Sequence, residues 1–297
     1  MLIERQRLLL ALADALGANV AHTDFQKLLF LYTHEWEAKP SYDFVPYQFG
    51  GFSFTSYADK RRLIERGLLV DDEHGWKLTE VGRKAITPAR ALRERTKRFA
   101  TSRGALRGDA LIAEVYRRHP YYATRSKILS RVLRSTTDRA CVEAARPAQR
   151  APGLVTIGYE GKSLEAYLNQ LLQDSVTLLC DVRRNPLSRK YGFSKGTLKN
   201  ACEGVGICYE HLPELGIASE ERRDLNTQAD YDALFAVYET ESLPQQNNTL
   251  ARIRRWIDEG ERVALTCYEA LPCQCHRHCV AEALMRGGRR KLLVSHL

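Results

Sequence analysis

No stretch of the 297-residue sequence approaches the roughly twenty consecutive apolar residues that a membrane-spanning helix needs. The opening residues, MLIERQRLLLALADALG, place charges among their apolar positions and lack a small-residue cleavage site, which reads as a helix rather than a signal peptide. No internal repeat is visible, and eight cysteines in a chain this long are too few and too clustered for a disulfide scaffold. These absences lead to the expectation of a cytoplasmic protein with reduced thiols and no membrane partner. With 44% apolar residues, it should form about two domains, each with its own core.

Acidic charge is scarce in one half only. Residues 1–150 carry 27 Lys and Arg against 17 Asp and Glu, whereas residues 151–297 carry 18 against 19. An excess of ten positive charges confined to one half suits a polyanion partner, although a solvated basic surface looks the same in sequence. The sharpest compositional shift is RSTTDRACVEAARPAQRAPG, residues 134–153. It divides the chain into a domain at 1–135, a linker at 136–152 and a second domain at 153–297.

In the first domain, helical apolar spacing predicts one helix ending at Gly17 and a second starting at a Thr23 cap and stopping before Pro40. A third helix, FTSYADKRRLIERG, runs into two short apolar stretches around Gly75, the pattern of a hairpin. Helices followed by a β-hairpin predict a mainly helical, winged-helix-like domain. Lys60, Arg61, Arg62 and Arg66 on the third helix, with Arg93 and Lys97 beyond it, are its candidate nucleic-acid contacts, DNA in preference to RNA. Against this, Asp71, Asp72 and Glu73 at the wing tip would repel a phosphate backbone, and such modules also bind proteins. This half also resembles, more weakly, the antitoxin-like domain called Panacea, through FQKLLFLYTHEW, YDFVPYQFGGFS and EVYRRHPYYATRSKIL. That resemblance implies a winged-helix-like module of toxin–antitoxin and phage-defence settings, with a protein partner as open as DNA.

In the second domain, LVTIG, SVTLLCD and RVALTC read as buried strands alternating with helices, an α/β domain of Rossmann type with a mainly parallel sheet. Ligands of such sheets sit at the carboxyl ends of the strands. Tyr159, Asp181, Arg183 and Glu269 fall at those ends, with Cys275, His276 and Arg277 just beyond them. Isolated carboxylates are as often loop caps or solvated charges. Cys275 before a helix start could be an activated thiol, and Arg277 at the same helix start could clamp a phosphate, the reading preferred here. Ser188, Arg189, Lys190 and Ser194 lie in a loop able to close over a phosphate, although an exposed loop looks the same in sequence, and His211 with Glu214 could clamp a base or sugar or form a packing turn around Pro213. Cys273, Cys275, His276 and Cys279 supply metal-ligand types. They crowd one loop beside Arg277 with no second pair elsewhere, so no metal and no cofactor is expected.

This half resembles the domain-of-unknown-function 488 family through TIGYEGKSLEAYLNQL, LLCDVRRNPLSRKYGFSKGTL, GICYEHLPELG and LTCYEALPCQCHRHCVAEAL, spanning about 154 to 285. The resemblance implies a compact Rossmann-like domain associated with mobile or defence gene neighbourhoods, whose chemistry the family name does not settle. It places recurring residues at Tyr159, Asp181, Arg183, Pro186, Ser188, Phe193, Tyr209, His211, Glu214, Cys267, Glu269, Cys275, His276 and Arg277; Cys273 and Cys279 are additions to the pattern.

The reading that follows is a nucleic-acid-directed enzyme of DNA repair or phage defence. Its first half would dock a phosphate backbone and its second half would hydrolyse a bond in a nucleotide, for instance an N-glycosidic bond. Asp181 or Glu269 would serve as the carboxylate, Tyr159 and His211 would orient the base, and Arg183, Ser188, Arg189, His276 and Arg277 would hold phosphate. Two alternatives stay open: a non-enzymatic DNA-binding regulator or antitoxin-like module that senses a nucleotide, and a transferase using Cys275.

Overall fold

A computed structural model describes the chain except residues 18–19, 74, 219, 223–224 and 288–291. It divides into two units, Met1–Arg146 and Pro147–Leu297.

The first unit is mostly helical. Its elements are α1 (Glu4–Leu16), α2 (His22–Glu35), β1 (Val45–Tyr47), β2 (Gly50–Phe52), α3 (Phe54–Glu65), β3 (Leu69–Asp72), β4 (Gly75–Leu78), α4 (Glu80–Ile86), α5 (Arg90–Arg103), α6 (Gly108–Arg118), α7 (Leu129–Val132) and α8 (Thr136–Ala144). The apolar runs of α1 and α2 are buried on nearly every side, because α1 packs against α3, α4 and α5, and α2 against α6. The β3–β4 hairpin follows α3 as the sequence predicts, paired antiparallel from Leu69–Leu78 to Asp72–Gly75. Ser53 caps α3 by accepting from the Ser56 amide. The second helix does not start at a Thr23 cap: it begins at His22, with Thr23 inside its first turn.

The expected linker is partly helix. Ser135 accepts from the Asp138 amide and starts α8, whose Val142 is fully buried in the core of the first unit. The S-T-T-D capping signal outweighs the small and polar composition that suggested a linker. The two units part between Arg146 and Pro147, inside the predicted linker but toward its far end.

The second unit comprises β5 (Gly153–Gly158), α9 (Leu164–Gln173), β6 (Leu178–Asp181), α10 (Lys195–Gly204), β7 (Cys208–His211), α11 (Gln228–Val237), α12 (Asn247–Asp258), β8 (Arg262–Cys267), α13 (Arg277–Arg286) and β9 (Val294–His296). The five strands pair in parallel in the order β7-β6-β8-β5-β9, a Rossmann-like sheet. The three strands with continuous apolar runs, β5, β6 and β8, take the interior of the sheet, as burial on both faces requires. The edge strands β7 and β9 carry exposed polar residues and escape an apolar-run criterion. Parallel pairing brings the carboxyl ends of β5, β6, β7 and β8 to one edge. Gly158 ends β5 there, and a Cβ on it would run into the Glu269 carbonyl oxygen, so the loop after β8 lies against β5 only because this residue is glycine.

Candidate functional site at the strand ends

Two buried clusters occupy this edge. The first centres on Asp181, the last residue of β6 and fully buried. The Arg183 guanidinium meets it in a fork, Nε to Oδ1 at 2.8 Å and Nη2 to Oδ2 at 2.5 Å, and the Arg183 amide donates to Oδ1 at 3.2 Å. Tyr209 on β7 donates its hydroxyl to Oδ2 at 2.6 Å. Arg183 Nη1 reaches the Tyr159 hydroxyl at 2.9 Å and the Phe193 carbonyl at 2.8 Å, and the Tyr159 ring stacks on Phe193 with centroids 4.3 Å apart. Burial works against the Arg183 charge, but the Asp181 carboxylate overrides it and raises the guanidinium pKa further. Burial and the neighbouring Asp181 push the Tyr209 hydroxyl up in turn.

This geometry corrects two roles. Asp181 meets no solvent and spends both oxygens on Arg183 and Tyr209, so it positions its neighbours rather than activating water. Arg183 commits three of its five donor hydrogens to Tyr159, Phe193 and one Asp181 oxygen and a fourth to the other, so it is not the expected phosphate clamp. His211 joins the cluster by its backbone position at the end of β7, with Nε2 3.0 Å from the Arg183 carbonyl and Nδ1 3.1 Å from Lys195 Nζ.

The second cluster lies at the end of β8. Cys267, Cys275 and His276 are buried, their two Sγ atoms and an imidazole nitrogen all lie within 4.8 Å of one another, and Cys267 Sγ is 3.8 Å from His276 Nδ1. Glu269, 8% exposed, places Oε2 3.5 Å from Cys267 Sγ and pairs through Oε1 with Arg222. Burial opposes the Glu269 charge, yet Arg222 holds its pKa below the ordinary carboxylate range. His276 Nε2 stands 3.0 Å from the Val182 carbonyl, so the two clusters share the backbone just after β6.

Three further expectations change here. Arg277 is 1% exposed and donates to the carbonyls of Glu269 at 2.6 Å and Ala270 at 2.9 Å; it staples the loop after β8 to α13 and does not cradle phosphate. Cys275 is wholly buried, and burial together with Cys267 pushes its thiol well up, so it cannot attack a substrate from this position. His276 turns inward toward the thiols and Val182 rather than toward a ligand phosphate. The crowding that spoke against a metal is also relieved. Cys273 is exposed and Cys279 lies against His278, while Cys267 arrives from β8 to complete a group that proximity along the chain had obscured.

Ser188 and Arg189 do fall in a loop on this edge. Ser194 Oγ accepts from the Ser188 amide at 3.1 Å, Ser188 Oγ from the Lys190 amide at 3.1 Å, and Arg189 is exposed. Lys190 Nζ donates to the Tyr159 carbonyl at 2.9 Å. Burial lowers the pKa of Lys162, and the charges of Arg277 and Lys190 lower it further, a sign that positive charge is crowded at the end of β5. The sequence alone did not mark Arg222 as a site residue, because it stands in a charged run that reads as a solvated loop; Lys190 belongs to the loop already read as able to close over a phosphate.

In the first unit, the predicted contacts divide. Arg61, Arg62, Arg66 and Lys97 are exposed and Arg93 is half-buried. Lys60 is not available to a backbone phosphate: its Nζ pairs with Asp71 of β3 at 2.6 Å and lies over the rings of Tyr57 and Trp76. Asp71 thus neutralises Lys60 and also meets His22. Among the described residues, no helix is long and apolar enough to cross a membrane.

No curated protein and no solved structure matches the chain. Residues 163–284 match the family model described as Domain of unknown function DUF488; β5 and Tyr159 lie outside that span, but Asp181, Arg183, Tyr209, Cys267, Glu269, Cys275 and His276 lie within it. The second unit is therefore similar, over residues 163–284, to the domain that this family model describes.

Proposed function

We propose that the chain is a nucleic-acid-directed hydrolase. Its basic first unit engages a phosphate backbone, and its second unit acts on a nucleotide or base held at the carboxyl ends of β5, β6, β7 and β8. The observation that carries this reading is the crowding of Lys162, Lys190 and Arg277 at the end of β5, beside a carboxylate, Glu269, kept charged by Arg222. Half-buried lysines gathered at a strand end attract an anion, and the carboxyl edge of a parallel sheet is where such folds take their ligands. Exposed Arg184, Arg189 and Lys195 extend the same sign along the loop after β6. Glu269 rather than Asp181 is the general base, because Asp181 is spent on Arg183 and Tyr209. A target within a duplex would have to be flipped out to reach these groups.

The full chain incubated with plain, damaged and modified oligonucleotides and with free nucleotides should release a base or nucleotide from one of them. Glu269→Gln should lower that turnover by a factor of about 10²–10⁴, the usual contribution of a positioned acid–base group. Tight binding to every oligonucleotide with no turnover of any would replace the hydrolase with the regulator.

A further inference from the structure

Two thiols and an imidazole converge at the end of β8 with the Glu269 carboxylate against one of the thiols, and the proposed reaction uses only the carboxylate. They come from β8 (Cys267), the loop after it (Glu269) and the start of α13 (Cys275, His276). Apolar packing does not require such a group, and burying polar atoms without full partners is unfavourable.

We infer that Cys267, Cys275 and His276 bind one divalent transition metal of the zinc type. The orientation of His276 supports this: its Nε2 lies against the Val182 carbonyl, which can only accept, so Nε2 carries the hydrogen and Nδ1 of the neutral ring presents its lone pair to the thiols. A histidine ligand anchored through its other nitrogen on a backbone carbonyl is the usual arrangement around a bound metal. The spacing agrees as well. Ligand atoms at about 2.0–2.3 Å from a tetrahedral ion stand roughly 3.5–3.8 Å apart. Cys267 Sγ is 3.8 Å from His276 Nδ1, and one ligand atom from each of Cys267, Cys275 and His276 lies within 4.8 Å of the others.

Charge balances too. Two thiolates and the Glu269 carboxylate would be offset by a divalent cation and the Arg222 guanidinium, which is already paired with Glu269. Thiolate and imidazole donors favour zinc over magnesium or calcium, which take oxygen. Three protein ligands leave one tetrahedral position open, the coordination of sites that hold water or substrate. Metal binding does not depend on the hydrolase reading, because the donor set exists whatever the substrate.

The full chain, purified without chelators, should contain about one equivalent of zinc by elemental analysis. Cys267→Ser, Cys275→Ser and His276→Ala should each lower the content at least tenfold, while Cys273→Ser, which alters an exposed thiol of the same motif, should not. Since substitutions in a buried cluster can unfold the domain, the wild-type chain provides the second measurement. Stripped by a chelator and titrated with cobalt(II), it should develop the thiolate charge-transfer and visible bands of a tetrahedral site, saturating near one equivalent. A wild-type chain that neither retains zinc nor develops those bands overturns the inference, as does a spectrum that survives in Cys275→Ser.

Discussion

Asp181 and Arg183 are two positions apart in sequence, yet their interaction is a property of the folded state. Both are buried, and each satisfies most of the other's hydrogen-bonding capacity. Removing one partner leaves the other charged and desolvated, which typically costs about 3–5 kcal/mol. Asp181→Asn and Arg183→Ala should therefore destabilise the chain by that order in denaturant unfolding. Arg183→Lys should recover little, because a lysine cannot reproduce the fork to Asp181 together with the bonds to Tyr159 and Phe193. Full stability in Arg183→Lys would show that the fork is incidental.

Lys27, in α2, is a second buried charge, 2% exposed, with Nζ donating to the Gly51 carbonyl at 2.9 Å. Burial lowers its pKa to about 7, with Asp24 opposing the shift. In the unfolded chain the group titrates near its ordinary value, so between about pH 7 and pH 10 the unfolded state binds the extra proton and this group makes stability rise with pH up to the unfolded value, falling as pH is lowered through that window. Below pH 7 both states are protonated and the native state carries the full penalty of a buried ammonium. Lys27→Met should thus be more stable than wild type at pH 6. That advantage should shrink and reverse by about pH 10, where the variant merely lacks the bond to Gly51. A difference between the two that is constant with pH would contradict a neutral lysine in the fold.

At the scale of elements, α3 and the β3–β4 hairpin explain why an acidic hairpin need not exclude a nucleic acid. Asp71 pairs with Lys60 and His22, so its charge is met within the unit. The charge of Lys60 is spent in the same pair, and Arg61, Arg62 and Arg66 remain exposed. Lys60→Ala should lower stability by about 1–2 kcal/mol, because it removes both the ion pair with Asp71 and the cation from the faces of Tyr57 and Trp76; it should leave the salt dependence of nucleic-acid binding unchanged. Replacing Arg61, Arg62 and Arg66 with Gln should reduce the slope of log affinity against log salt by about 0.9 for each phosphate that is no longer neutralised. A slope that follows Lys60 and ignores the three arginines would place the nucleic acid elsewhere; no measurable binding at low salt would favour a protein partner for this unit.

Across the whole molecule, the amino-acid sequence by itself determined whatever repeats locally or sums over composition. Apolar periodicity marked α1, α2 and α3 and the interior strands β5, β6 and β8, because a buried element needs an apolar residue at each inward position. The charge asymmetry between the halves and the placement of polar residues at strand ends were legible for the same reason. The edge strands β7 and β9 and the helix α8 were not, since a short edge strand buries little and α8 depends on a capping serine and one valine, Val142. The roles of the site residues were decided by tertiary structure alone. Sequence grouped Cys273, Cys275, His276 and Cys279 by proximity along the chain, whereas the fold set Cys267 at the end of β8 against Cys275 and His276 and left Cys273 at the surface. It offered Arg183 and Arg277 as free cations, whereas burial bound one to Asp181 and the other to two carbonyls. Residue types and their positions on elements follow from local chemistry; which charges are spent and which donors converge depends on packing between segments far apart in the chain, where desolvation leaves each polar group only the partners that the fold brings within reach.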